Sequence, residues 1–227
     1  MQLAPGKRFP GLMKLISTIF LICTSLVLLA QNSYTRYTSV SPLSSYSTAW
    51  NDIKYSKCNT AAGEAYMSNA EKETVYILNL VRSNPALFAK TVLKKYPSVS
   101  GNLYLATDSF YFISLVNRLM QMKPLDILYP DKACFESAAC HATSSGIAGY
   151  AGHKRINREC EKKKNYNGEC CDYGHKDPLE IILSLLIDEG VPSLGHRNIF
   201  LSAYNKIGVS IQPHKKYGYN AVFDFAY

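Results

Sequence analysis

The sequence predicts a mixed α/β domain in which helices surround a small, mainly antiparallel sheet built largely from the C-terminal half. Three observations carry that expectation. Capped segments with helical apolar spacing recur across residues 68–187. Two extended runs, residues 206–213 and 219–225, close the chain. Residues 215–218 between them read as a hairpin turn. The length of 227 residues suits one domain with an extension. A hydrophobic content of 47% with 19% charged residues excludes a disordered or collagen-like chain.

The elements follow in order. Residues 1–30 hold Lys7, Arg8 and Lys14, no acid, and an apolar run from Leu15 to Ala30. A basic start, an apolar core and a small residue before polar sequence are the marks of a secretory signal peptide. The run is shorter than the roughly 20 residues a spanning helix needs, so an anchor is the weaker reading. Without those three charges the formal +8 falls to +5, and no later stretch is expected to cross a membrane. Residues 31–67, rich in Ser, Thr, Tyr and Asn, lack helical periodicity and read as a leader or linker of low order.

Ser68-Asn69-Ala70-Glu71 is a capping-box pattern that starts a core helix over residues 69–82. Ser83-Asn84-Pro85 stops it and starts another, to about residue 95. Asp108 or Ser109 caps a third helix through Met122, and a fourth spans about residues 131–145. Its small residues, Ala133, Ala138, Ala139 and Ala142, imply close packing. Residues 146–174 read as loop. Asp177-Pro178-Leu179-Glu180 then reads as an N-cap, a first-turn Pro and a box-closing Glu, ahead of an apolar helix that Asp188-Glu189-Gly190 ends. A short helix follows His196 before the two strands.

The basic cluster Lys154-Arg155, Arg158 and Lys162-Lys163-Lys164 reads as a solvated loop, and no aromatic platform accompanies it, so nucleic acid is not an expected partner. Beyond Cys23, six cysteines remain: Cys58, Cys134, Cys140, Cys160, Cys170 and Cys171. An even number in an exported chain suits disulfides, with buried free thiols as the alternative. Vicinal Cys170 and Cys171 would each need a partner elsewhere.

Three ligand-type side chains follow glycine: His153, Glu169 and His196. Two imidazoles and a carboxylate suit a divalent metal, or a general acid/base pair around a bound water. No spacing motif fixes them to one face.

These residues also carry a family resemblance. Ser137-Ala138-Ala139-Cys140-His141-Ala142 resembles the "aA..hA" helix of the CAP superfamily (cysteine-rich secretory, antigen 5 and pathogenesis-related 1 proteins), in its bacterial SCP-like branch. His153 falls where the family has its first cavity His, and Gly168-Glu169 where it has the Glu of "GEN". Gly195-His196-Arg197-Asn198-Ile199 resembles the bacterial "GHR.NIL" segment with the second cavity His. The resemblance covers about residues 69–227.

It implies an α–β–α sandwich of the CAP type, with a cleft tetrad of His153, Glu169, Asp188 and His196. For the fourth member Glu189 is the alternative to Asp188. The resemblance further implies a secreted or periplasmic binding or interaction module rather than an established enzyme. It would hold Zn²⁺ or Mg²⁺ through His153 and His196, with Glu169, and take an extracellular lipid, glycan or protein as ligand; a monomer is expected. The alternative is an extracellular hydrolase of peptidase or esterase type, dependent on metal or a His/Glu pair, with Ser144, Ser145 and Ser193 near the relevant segments.

Overall fold

The computed structural model describes residues 40–99 and 103–227. The signal expected at residues 1–30, and residues 31–39 of the leader, lie outside the described residues.

Residues 40–67 are packed rather than of low order. Ser47 and Asp52 accept the N–H groups of Ala49 and Lys54, opening two 3-10 turns, Thr48–Asn51 and Ile53–Cys58. Leu43, Tyr46, Trp50, Tyr55, Cys58, Ala61 and Met67 enter the main core. Trp50 Nε1 donates to Thr91 Oγ1 at 3.1 Å. Widely spaced large side chains order this segment, and they carry no helical period for a sequence reading to find.

Among the described residues, eight α-helices and four strands follow. Helix α1, Asn69–Ser83, opens with the expected capping box. Asn84 caps α2, Pro85–Phe88, which runs through a wider π turn, Ala89–Leu93, into α3, Lys94–Val99. Ser109, not Asp108, caps α4, Phe110–Gln121. Strand β1, Tyr129–Pro130, leads to Asp131, the cap of α5, Lys132–Ala148. Then come α6, Arg158–Lys162, and β2, Gly168–Tyr173. Helix α7, Pro178–Ile187, and α8, Gly195–Phe200, precede β3, Lys206–His214, and β4, Gly218–Ala226. Asp177 alone caps α7; Glu180, expected to close a box, is buried and accepts the Tyr96 hydroxyl at 3.3 Å.

The sheet is mixed, in the order β1-β3-β4-β2. Strand β1 runs parallel to β3, and the other pairs are antiparallel. Strand β2 lies in the stretch read as loop. Its Gly-Glu-Cys-Cys-Asp sequence is buried on both faces and lacks β-branched residues, so neither alternation nor propensity announced it.

Helix α5 covers one sheet face, where Ala138 and Ala142 pack on Cys171 and Val222. A Cβ on Gly208 of β3 would stand 2.0 Å from the Phe135 nitrogen, so only glycine allows this approach. Ala133, expected to face inward, is exposed. Ile207, Val209, Phe223 and Phe225 point from the other face into the core shared with α1 and α7.

Cys140 and Cys160 form a disulfide joining α5 to α6. Cys58, Cys134, Cys170 and Cys171 are buried thiols, so the vicinal cysteines have no bonded partners. Among the described residues no helix is long and apolar enough to cross a membrane.

Candidate functional site: two histidine–carboxylate pairs beside a cleft

The loop after α5 is held at a glycine. Gly152 adopts φ of 134°, a region that side-chain-bearing residues rarely enter. Its N–H donates to the Tyr173 hydroxyl oxygen at 2.8 Å, and its carbonyl accepts from His141 Nε2 at 2.9 Å. The next residue, His153, is thereby set over β2, where its Nδ1 donates to Glu169 Oε1 at 2.9 Å.

The second pair is built at a helix end. Asp188 terminates α7 in the left-handed conformation, φ 58°, which Asp tolerates better than most residues. Its Oδ1 accepts from His196 Nδ1 at 2.7 Å, and its Oδ2 accepts the backbone N–H groups of His196 and Arg197 at 3.0 and 3.4 Å. A carboxylate at a helix C-terminus is disfavoured by the helix dipole; these three donors offset that. Glu189 instead accepts from Ser109 Oγ at 2.9 Å and is exposed, so Asp188 is the acid beside His196.

The four side chains thus form two pairs, with the imidazole centroids 6.3 Å apart. In both rings Nδ1 carries the proton, since a carboxylate only accepts. Each Nε2 then presents a lone pair, with no hydrogen-bond partner among the described residues.

Beneath the first pair lies a polar network that the sequence reading missed. Arg155, assigned to a solvated run, is buried. Its Nη1 forms a close ion pair with Glu169 Oε2, and its Nη2 lies 3.3 Å from Asp224 Oδ2. The Tyr166 ring packs on the guanidinium at 5.0 Å. Ser137 Oγ donates to Asp224 Oδ2 at 2.5 Å. The rest of that run, Lys154, Arg158 and Lys162 to Lys164, is exposed as expected.

Glu169 and Asp224 are direct cross-strand partners, and two buried carboxylates side by side do not both ionise readily. Burial and the Glu169 charge push Asp224 up to about 8. Burial raises Glu169 too, but the His153 hydrogen bond and the Arg155 charge outweigh it and hold Glu169 below its ordinary value. The pair therefore carries one charge at neutral pH, on Glu169. A carboxylate flanked by Phe223 and Phe225 in a strand was the available signal that Asp224 needs a buried partner.

A cleft of about 500 Å³ opens at the Asp188–His196 pair, and His153 and Glu169 lie outside its lining. Asp172, Asp188, Cys171 and His196 form its polar wall, and leucines such as Leu103 and Leu185 its apolar wall. Cys170 places Sγ 3.7 Å from the His196 carbonyl oxygen. Ser144 and Ser145 bond back to carbonyls of α5, and no serine hydroxyl bonds to either cleft imidazole among the described residues.

Compared with protein-family models, with curated proteins and with solved structures, the chain gives no match.

The donor set suits a divalent ion. Metal-bound imidazoles commonly donate their second nitrogen to a carboxylate, which fixes tautomer and orientation. Both rings already have that partner. Two imidazoles sharing one tetrahedral zinc through Nε2, with Zn–N bonds near 2.0–2.1 Å, have centroids about 5.3 Å apart, so these rings, 6.3 Å apart, would close by about 1 Å to share an ion.

Proposed function

We propose that this chain is a secreted binding module of the CAP type, in which His153 and His196 hold a divalent ion at the cleft. The observation that carries the reading is the pair of facing imidazoles, each with Nδ1 on a buried carboxylate and Nε2 unpartnered among the described residues. The ion would supply a positive charge and an open coordination position for an anionic or carbonyl group of the ligand. The protein's own part is orientation: Glu169 and Asp188 fix the rings, and the apolar wall accepts a ligand with a hydrophobic face.

The order of the motifs from residue 133 onward supports the CAP assignment, and the Cys140–Cys160 disulfide suits an exported chain. Hydrolysis needs an activated nucleophile or a positioned base at the substrate. In the hydrolase alternative, the metal or the His153–Glu169 pair would supply this by activating water.

Zinc titration calorimetry of the full-length chain tests the reading. His153→Ala and His196→Ala should each lose one equivalent of zinc relative to wild type while keeping a cooperative unfolding transition. Unchanged stoichiometry in the two variants overturns it.

A further inference from the structure

Buried polar atoms without partners gather in one place. Among the described residues they are His141 Nδ1, Arg155 Nε, Glu169 Oε2, Asp224 Oδ1 and Asn220 Oδ1. The first four belong to the layer under His153. Folded proteins leave few such groups, and each one calls for an explanation such as an ion or an ordered water. Glu169 Oε2 does meet Arg155 Nη1 as an ion pair, though not in hydrogen-bond geometry.

His141 is the clearest case. It is fully buried on α5, and its Nε2–H is committed to the Gly152 carbonyl. Its Nδ1 is therefore a bare lone pair in the interior. His141, Glu169 and Cys171 each present a donor atom, and the three atoms lie within 4.8 Å of one another. Nitrogen, thiolate sulfur and carboxylate oxygen together are the ligand types of zinc. Cys171 also lines the cleft, which gives an ion a way in.

We propose that His141, Glu169 and Cys171 form an inner cation site that takes a zinc-class divalent ion, separate from the one between His153 and His196. On binding, the Cys171 thiol releases its proton to solvent and the thiolate takes the metal. Charge permits this. With Asp224 protonated, Glu169 and the Cys171 thiolate supply two negative charges against the single positive charge of Arg155, leaving a net negative charge for a cation to meet. Three protein ligands leave a further position open, the pattern of a reactive rather than a closed structural site. Glu169 serves both sites, as a ligand here and as hydrogen-bond acceptor from His153 in the outer one.

Sulfur separates the two sites, because the outer set contains none. Full-length protein kept reduced with a non-thiol reductant is titrated with Co²⁺. Wild type should show a near-ultraviolet thiolate-to-cobalt charge-transfer band that saturates at one equivalent. His196→Ala, which touches only the outer set, should keep it, as should Cys170→Ser. Cys171→Ser should abolish the band and lower cobalt affinity at this site by at least about 100-fold, the upper end of what even outer partners of a ligand are worth. No sulfur band in wild type, or a band that survives Cys171→Ser, overturns the proposal.

Alkylation of the native chain, mapped residue by residue, covers the case in which Cys171→Ser fails to fold. Zinc should slow modification of Cys171 by about tenfold or more, since only the thiolate reacts, and leave Cys58 unaffected. Equal rates with and without zinc also overturn it. Loss of the outer equivalent in His196→Ala with the sulfur band intact would uphold both sites.

Discussion

An imidazole whose Nδ1–H rests on a carboxylate recurs three times around this sheet: His153 on Glu169, His196 on Asp188, and His175 on Asp172. The third pair lies outside the proposed ligand sets and reports on the chemistry by itself. His175 Nδ1 is 3.1 and 3.0 Å from the two Asp172 oxygens. That hydrogen bond raises the His175 pKa above its ordinary 6.5, against the opposing effect of burial. A folded value above the unfolded one means the folded state holds the proton longer. The pair's stabilisation is thus complete below about pH 6.5 and disappears as pH rises through the raised folded value. His175→Gln should therefore cost on the order of 1 kcal/mol at pH 5, and the deficit should shrink toward pH 9. Urea denaturation of both proteins at the two pH values measures it, and a deficit that does not change with pH contradicts the ion pair.

At the scale of elements, the packing of α5 on the sheet depends on glycine as much as on alanine. Gly208 of β3 faces the backbone of α5 so closely that a Cβ would lie 2.0 Å from the Phe135 nitrogen and 2.2 Å from the Cys134 carbonyl carbon. Backbone cannot rotate away as a side chain can, so Gly208→Ala must push the helix off the strand. Overpacking of this kind costs about 1–3 kcal/mol or more. Gly63→Ala, with nothing within 4 Å of its Cβ, is the matched control and should change stability little. Thermal unfolding of the two variants compares them directly, and equal midpoints would show that α5 yields freely.

The same elements show what the chain reveals unaided. Ser68 and Asp177 announce helix starts because a cap acts over three or four residues, and the closing hairpin is equally local. Strand β2 and residues 40–67 stayed hidden because burial by distant neighbours, not local pattern, defines them. At the site, the glycine-flanked residues stood out, whereas Arg155 and Asp224 acquire their roles only when β2 pairs with β4.

Across the whole molecule, two buried arginines bind segments together through backbone oxygens. Arg197 takes the carbonyls of Leu186, Ile187 and Tyr111 and the Ser114 hydroxyl, tying α8 to α7 and α4. Arg82 on α1 is bound entirely to carbonyls: Asp126 at 2.9 Å, Phe200 and Ser202 at 2.8 Å, and Tyr204 at 3.0 Å. One side chain thereby connects the first helix, the link before β1 and the turn between α8 and β3. Burial pushes its pKa down to about 10, which still leaves it charged at neutral pH. The guanidinium fork reaches four oxygens in different directions, and a lysine ammonium, with three donors on one nitrogen, cannot. Arg82→Lys should leave carbonyls unpaired at about 1–3 kcal/mol each, and Arg82→Met should strip the donors altogether. Both variants should shift the urea midpoint downward, by more for Met. Because Arg82 joins segments far apart in the chain, the loss should stay cooperative, with Trp50 fluorescence and far-ultraviolet dichroism falling at one midpoint. A separate early loss of the Trp50 signal would mean that residues 40–67 unfold on their own and that Arg82 does not unite the domain.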